Sequence, residues 1–137
     1  MSHHRELSNP PELHPAPGFS HVAVATGTTI VHLAGQVALD QQFGIVGGDD
    51  LGEQTKAAMR NVEVALTAAG ASWDDVVRRT IYTLHPTEYE TITAAIDEVT
   101  GGAEHPAQTI VGVTGLAVPG LLIEIECTAV RAREPID

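Results

Sequence analysis

Two carboxylates, Glu124 and Glu126, stand two residues apart in the segment Leu121 to Arg131. On an extended chain that spacing puts both on one face, about 7 Å apart. A carboxylate can act as a general acid or base. It can equally belong to a salt bridge or water network at a subunit contact, and Glu126 suits such an interface role. Arg78 and Arg79 are neighbouring cations in another β-rich segment. They could serve as anion-binding groups, but arginines on strands ordinarily pair with surface acids, which this chain has in excess. Cys127 falls on the apolar side of its segment, where a thiol is inert. His3, His4 and His14 are scattered through a polar N-terminus, and neither CxxC nor HExxH occurs, so no metal is expected. Gly112-Val113-Thr114-Gly115 lacks the Lys-Ser/Thr ending and the following helix of a phosphate loop.

The elements that must position these groups follow from hydrophobic period. From 121 to 131, Leu121, Ile123, Ile125, Cys127 and Ala129 alternate with Leu122, Glu124, Glu126, Thr128 and Val130, which reads as a strand. Val76 to Leu84 and Gln108 to Val113 read as two more strands. Ser20–Gly27 and Thr28–Ala34 alternate around Gly27-Thr28 and read as a hairpin, with a weaker strand pair or loop over 39–46. A helix is expected from Leu51 to Ala69, capped by Asp49 or Asp50 and ended by Gly70. A second runs from Glu88 to Val99, capped by Thr87 and ended by Gly101-Gly102. About six strands and two helices give an α+β class with both helices on one face of a mixed sheet. The other face then mixes Leu122 and Val130 with carboxylates, which is neither a core nor a wet surface. Burial against other subunits is one solution.

A chain of 137 residues suits one domain. Residues 1–15 read as a flexible leader, 16–132 as the domain and 133–137 as a tail. Seven basic against eighteen acidic residues leave a net charge of −11, which repels phosphate backbones, so nucleic acid is not an expected partner. No stretch has the roughly 20 apolar residues of a membrane helix. A single cysteine and no apolar leader point to a cytoplasmic setting.

Several short motifs occur in order. They are Gly18-Phe19-Ser20, Leu33-Ala34-Gly35-Gln36, and Asp50-Leu51-Gly52-Glu53-Gln54-Thr55 with Asn61. Ala69-Gly70-Ala71-Ser72, Asp75-Val76-Val77, Pro106-Ala107-Gln108-Thr109 and Ile123-Glu124-Ile125-Glu126 follow. Together, over about residues 16–132, they resemble the RidA/YjgF family of reactive-intermediate deaminases. The resemblance implies a chorismate-mutase-like fold and a homotrimer whose sheets form a central barrel, with small-molecule clefts between subunits. It implies hydrolysis of 2-imino or enamine acids to 2-oxo acids and ammonia, with no cofactor.

Carried over residue by residue, Glu124 matches the water-holding glutamate and Gly35 a glycine whose backbone lines the cleft. Gln108 stands where the family has a carboxylate-binding arginine, Phe19 where a tyrosine is usual, and Thr93 where an asparagine often sits. A carboxamide carries no charge, and a charged hydrogen bond contributes roughly 1.5–3 kcal/mol against about 1 for a neutral one. The expectation is therefore a divergent hydrolase or deaminase-type enzyme with doubtful activity on 2-imino acids. A non-enzymatic metabolite-binding or regulatory trimer is the alternative.

Overall fold

The computed structural model describes residues 4–132. His3 and the expected tail 133–137 lie outside them. Seven strands and two helices follow the order β1 (Arg5–Ser8), β2 (Val22–Ala25), β3 (Thr29–His32), β4 (Gln36–Val37), α1 (Leu51–Ala68), β5 (Val76–Thr83), α2 (Tyr89–Thr100), β6 (Ala107–Gly112) and β7 (Ile123–Arg131). The main sheet runs β3-β7-β5-β6, with β4 also paired to β7. Among the described strands only β5 and β6 are a parallel pair, and α2 makes the crossover between them that parallel strands need. The result is the expected α+β arrangement, with a mixed sheet backed by two helices.

The alternation of β7 is realised. Ile123, Ile125, Cys127 and Ala129 are buried against the helices with Met59, Val62, Leu66, Ile92 and Ile96. Leu122, Glu124, Glu126 and Thr128 form the opposite, half-exposed face. In β5 the register slips between Val76 and Arg78, which lets Val76 share the helix side with Arg79, Ile81 and Thr83.

Helix α1 starts as expected, with Asp50 accepting from the Glu53 amide at 2.9 Å. Helix α2 ends on Gly101 in the left-handed region, which a residue without Cβ adopts freely. Its N-cap is Glu88, not Thr87, and no side chain caps it.

The expected hairpin is not formed. β2 pairs with β1, which lies within the expected leader, while β3 pairs with β7. Gly27 serves close approach rather than a chain reversal: a Cβ there would lie 2.1 Å from the Arg131 carbonyl oxygen. The stretch 39–46 is a loop closed by a single Leu39–Ile45 bridge. Among the described residues no helix is long and apolar enough to cross a membrane.

Candidate functional site

Among the described strands β6 pairs only with β5, and its other edge takes a single parallel bridge, Ser20–Ala107. The chain before β2 returns there. Ser20 donates its amide to Pro106 O at 3.0 Å and its hydroxyl to His105 O at 2.7 Å. Gly18, at φ +79°, brings the backbone against α2, where a Cβ would meet Thr93 Oγ1 at 2.5 Å. Between this segment, the start of α2 and the edge of β6 lies a cleft of about 550 Å³. Phe19, Pro17, Tyr89 and Ile110 give it apolar walls, while Thr93 and Gln108 reach it from α2 and β6. His21 packs edge-on to both His14 and Phe19, with ring centroids 4.6 and 5.1 Å away, and fixes its mouth.

Gln108 is held from behind. Arg79 Nε donates to Gln108 Oε1, and the same guanidinium donates to Gly18 O at 3.1 Å and to His105 Nδ1 at 2.9 Å. His105 Nε2 reaches Asp97 Oδ1 of α2 at 2.9 Å. Since arginine only donates, Nδ1 must be the bare nitrogen and Nε2–H the donor, which makes His105 neutral. Burial lowers the His105 pKa, and the Arg79 charge lowers it further. Burial likewise pulls Arg79 down to about 10, which leaves it charged at neutral pH. Arg79 is thus not the surface ion pair expected for it; it is 4% exposed. Arg78 does face outward, donating to Thr109 Oγ1 at 2.7 Å.

Glu124 lies elsewhere. It pairs in register with Val37 of β4 and Tyr82 of β5, on the face away from the helices. Its carboxylate rests on the Gly35 backbone, where a Cβ would stand 2.0 Å from Glu124 Oε2. On the same face Tyr82 donates its hydroxyl to Glu126 Oε1 at 2.6 Å. That bond, followed by smaller effects of burial and the two glutamates, raises the tyrosine pKa. Glu126 is therefore engaged, whereas Glu124 has no hydrogen-bond or ion-pair partner among the described residues.

The five expected site residues fall into two groups. Phe19, Thr93 and Gln108 share the cleft; Gly35 and Glu124 share the opposite face. Within one chain the sheet separates them. Sequence reasoning missed the chain Asp97–His105–Arg79–Gln108, although Ile81 two residues after Arg79 already signalled that Arg79 faces inward.

Two polar motif residues are structural. Gln54, fully buried, donates to Gly48 O and Gly120 O and accepts from the Leu122 amide, binding the loop before α1 to the loop before β7. Asn61 donates to Val37 O at 2.8 Å and so steadies β4, the strand that carries the chain on from Gly35.

Residues 10–131 match the family model described as Endoribonuclease L-PSP. A RutC family protein of Synechocystis is 30% identical over 117 residues, covering 85% of this chain and 89% of that protein. The 3-aminoacrylate deaminase RutC of Acinetobacter baylyi is 31% identical over 119 residues, covering 87% and 93%. The crystal structure of the Rid-family protein YyfB from Yersinia pestis superposes with a TM-score of 0.85 at 39% identity, covering 93% of this chain and 98% of that one. With this fold, and with the family's motifs building the cleft edge and the Gly35–Glu124 contact, the chain belongs to the RidA/YjgF family.

Proposed function

We propose that this chain is a RidA-type enzyme that hydrolyses a small imine, enamine or related metabolite at clefts between the subunits of a homotrimer. The observation that carries the reading is Glu124, a carboxylate with no hydrogen-bond or ion-pair partner among the described residues, lodged on the Gly35 backbone beside Tyr82, on a sheet face with apolar Leu122 and Val130. A water held by that carboxylate would add to the imine carbon and give up its proton to Glu124. Both protons of the water end on nitrogen, one through Glu124 and the other from the new hydroxyl as it becomes the carbonyl, so the carbon–nitrogen bond breaks with release of ammonia; an enamine first tautomerises to the imine. No cofactor is called for. The reading is supported by the A. baylyi relative, whose name gives 3-aminoacrylate as its substrate.

One chain does not bring Glu124 to the Gln108 cleft, so a second copy must complete the site. A trimer that covers the open face would also bury Leu122 and Val130. Gln108 sets the substrate preference. Without a guanidinium at that position, an anionic 2-imino acid loses about 1–2 kcal/mol, several-fold to roughly thirty-fold in affinity. The fit is to a substrate without a carboxylate. The net charge of −11 argues against the nuclease activity in the family model's description. A second reading, a metabolite-binding trimer without turnover, draws on the separation of Glu124 from the cleft.

Ammonia release from 2-imino acids generated in situ, measured beside an arginine-bearing relative, tests the preference. The expected rate at low substrate concentration is several-fold to roughly thirty-fold lower; equal rates would sink it. Sedimentation showing a stable monomer at micromolar concentration would contradict the shared site.

A further inference from the structure

We propose that Arg79 is the positioning residue that sets what the cleft recognises. By capturing Gln108 Oε1 it turns the amide nitrogen toward the cleft, selecting small apolar ligands that carry a carbonyl-type acceptor. The proposal rests on the cleft being a ligand site.

The orientation of Gln108 is forced by chemistry. Arginine has no acceptor, so the atom facing Arg79 Nε must be the oxygen. The planar carboxamide then directs Nε2 to the other side of Cδ. Gln108 lines the cleft, and Nε2 makes no hydrogen bond among the described residues. The cleft therefore receives two N–H groups with a buried positive charge directly behind them. No carboxylate of the described residues reaches ion-pair distance of that charge. Asp97 lies one imidazole away, with neutral His105 between.

Arg79 also ties together the three walls. Its second branch holds Gly18 O, next to Phe19; Gln108 is on β6; and His105 links it to Asp97 on α2. A ligand donor group, such as an amine, would meet another donor and a like charge. A carbonyl oxygen would meet a donor whose partner atom is already fixed, so little orientational freedom is lost on binding. The apolar walls of Phe19, Tyr89 and Ile110 fit the rest of a small planar molecule.

Benzamide and benzylamine, equal in ring and differing in polar head, are the probes. Calorimetric titration, used for the wild type and both variants, should show benzamide binding about fivefold to tenfold tighter to the wild type, where only benzamide should shift the side-chain NH₂ resonances of Gln108. In Gln108→Glu one carboxylate oxygen still pairs with Arg79 while the other faces the cleft as an acceptor, so the order of the two probes should reverse. In Arg79→Lys the carboxamide is released, and the preference should narrow to about twofold. Thermal melting of each variant reports any loss of packing separately, and the wild-type titration stands without either variant. The proposal is overturned by equal binding of both probes to the wild type or by no binding of either at roughly 10 mM. An unchanged order in Gln108→Glu, or full preference kept in Arg79→Lys, overturns it equally. Turnover plays no part, so a failed ammonia assay counts against the Glu124 reading alone.

Discussion

Gln108→Arg would put back the side chain that the family uses, but the structure shows what it would meet. Arg79 Nε would lose its acceptor, a charged hydrogen bond contributing about 1.5–3 kcal/mol. Two guanidiniums would then face each other with no acid between them. At a separation of roughly 6–8 Å and an effective dielectric near 20, their repulsion is about 2–3 kcal/mol. Even the low end of the sum, about 4 kcal/mol, is a large part of the stability of a small domain. It corresponds to roughly 12–16 °C in Tm at this chain length. Exchanging the pair, Arg79→Gln with Gln108→Arg, keeps one guanidinium and one carboxamide and moves the charge one strand closer to the cleft. It should recover at least half of the lost stability, a coupling of about 2 kcal/mol or more in a double-mutant cycle. It should also strengthen carboxylate binding relative to the wild type. Calorimetric melting of the four proteins at equal concentration reads the cycle directly. A Gln108→Arg protein within about 1 kcal/mol of wild type, or strictly additive effects, would refute the reasoning.

Two further outcomes follow from the same contacts. His105 has a lowered pKa in the fold and an ordinary value of 6.5 when unfolded, so the unfolded chain binds more protons in between. Its contribution is complete above pH 6.5 and drains away as pH falls through the lowered value; Tm should therefore drop more steeply from pH 7.5 to pH 5 in the wild type than in His105→Asn, whose Oδ1 can accept from Arg79 without titrating. Equal slopes would remove His105 from the account. In Gly35→Ala the new Cβ would collide with Glu124 Oε2 at 2.0 Å, and the mobile end of that side chain can yield. Melting should shift by about 1 kcal/mol or less, while Glu124-dependent turnover should fall roughly 10- to 100-fold because the carboxylate is misplaced by an ångström or more.

Much of this architecture is legible in the sequence where an element has two unlike faces. β7 sits between β3 and β5, with helices on one side only, so its alternation is clean and Glu124 could be assigned to the outer face. α1 announces its start through Asp50, and α2 its end through Gly101. Pairing is where local reasoning fails. Gly27 and Thr28 look like a turn, yet β2 takes as its partner the short polar β1, with no apolar period to reveal it, and β3 takes β7 about a hundred residues away.

Arg79 was hidden for a related reason. A buried arginine is tolerated only where its donors are met, and its three acceptors come from Gly18, His105 and Gln108, scattered over ninety residues. The family resemblance named Gln108 as a departure without showing that a second arginine stands behind it. Nor could it show that Gln108 and Glu124 lie on opposite faces of one sheet.

The central claim is that the Glu124 carboxylate hydrolyses a small imine or enamine without needing a substrate carboxylate. Ammonia release from a matched pair of imines, one bearing a carboxylate and one lacking it, measured for wild type and Glu124→Gln, tests it most directly. The account predicts faster release from the carboxylate-free member and loss of that release in Glu124→Gln, which keeps a hydrogen-bonding side chain without the basicity. Release that survives in Glu124→Gln, that favours the carboxylate-bearing member, or that is absent from both would contradict it.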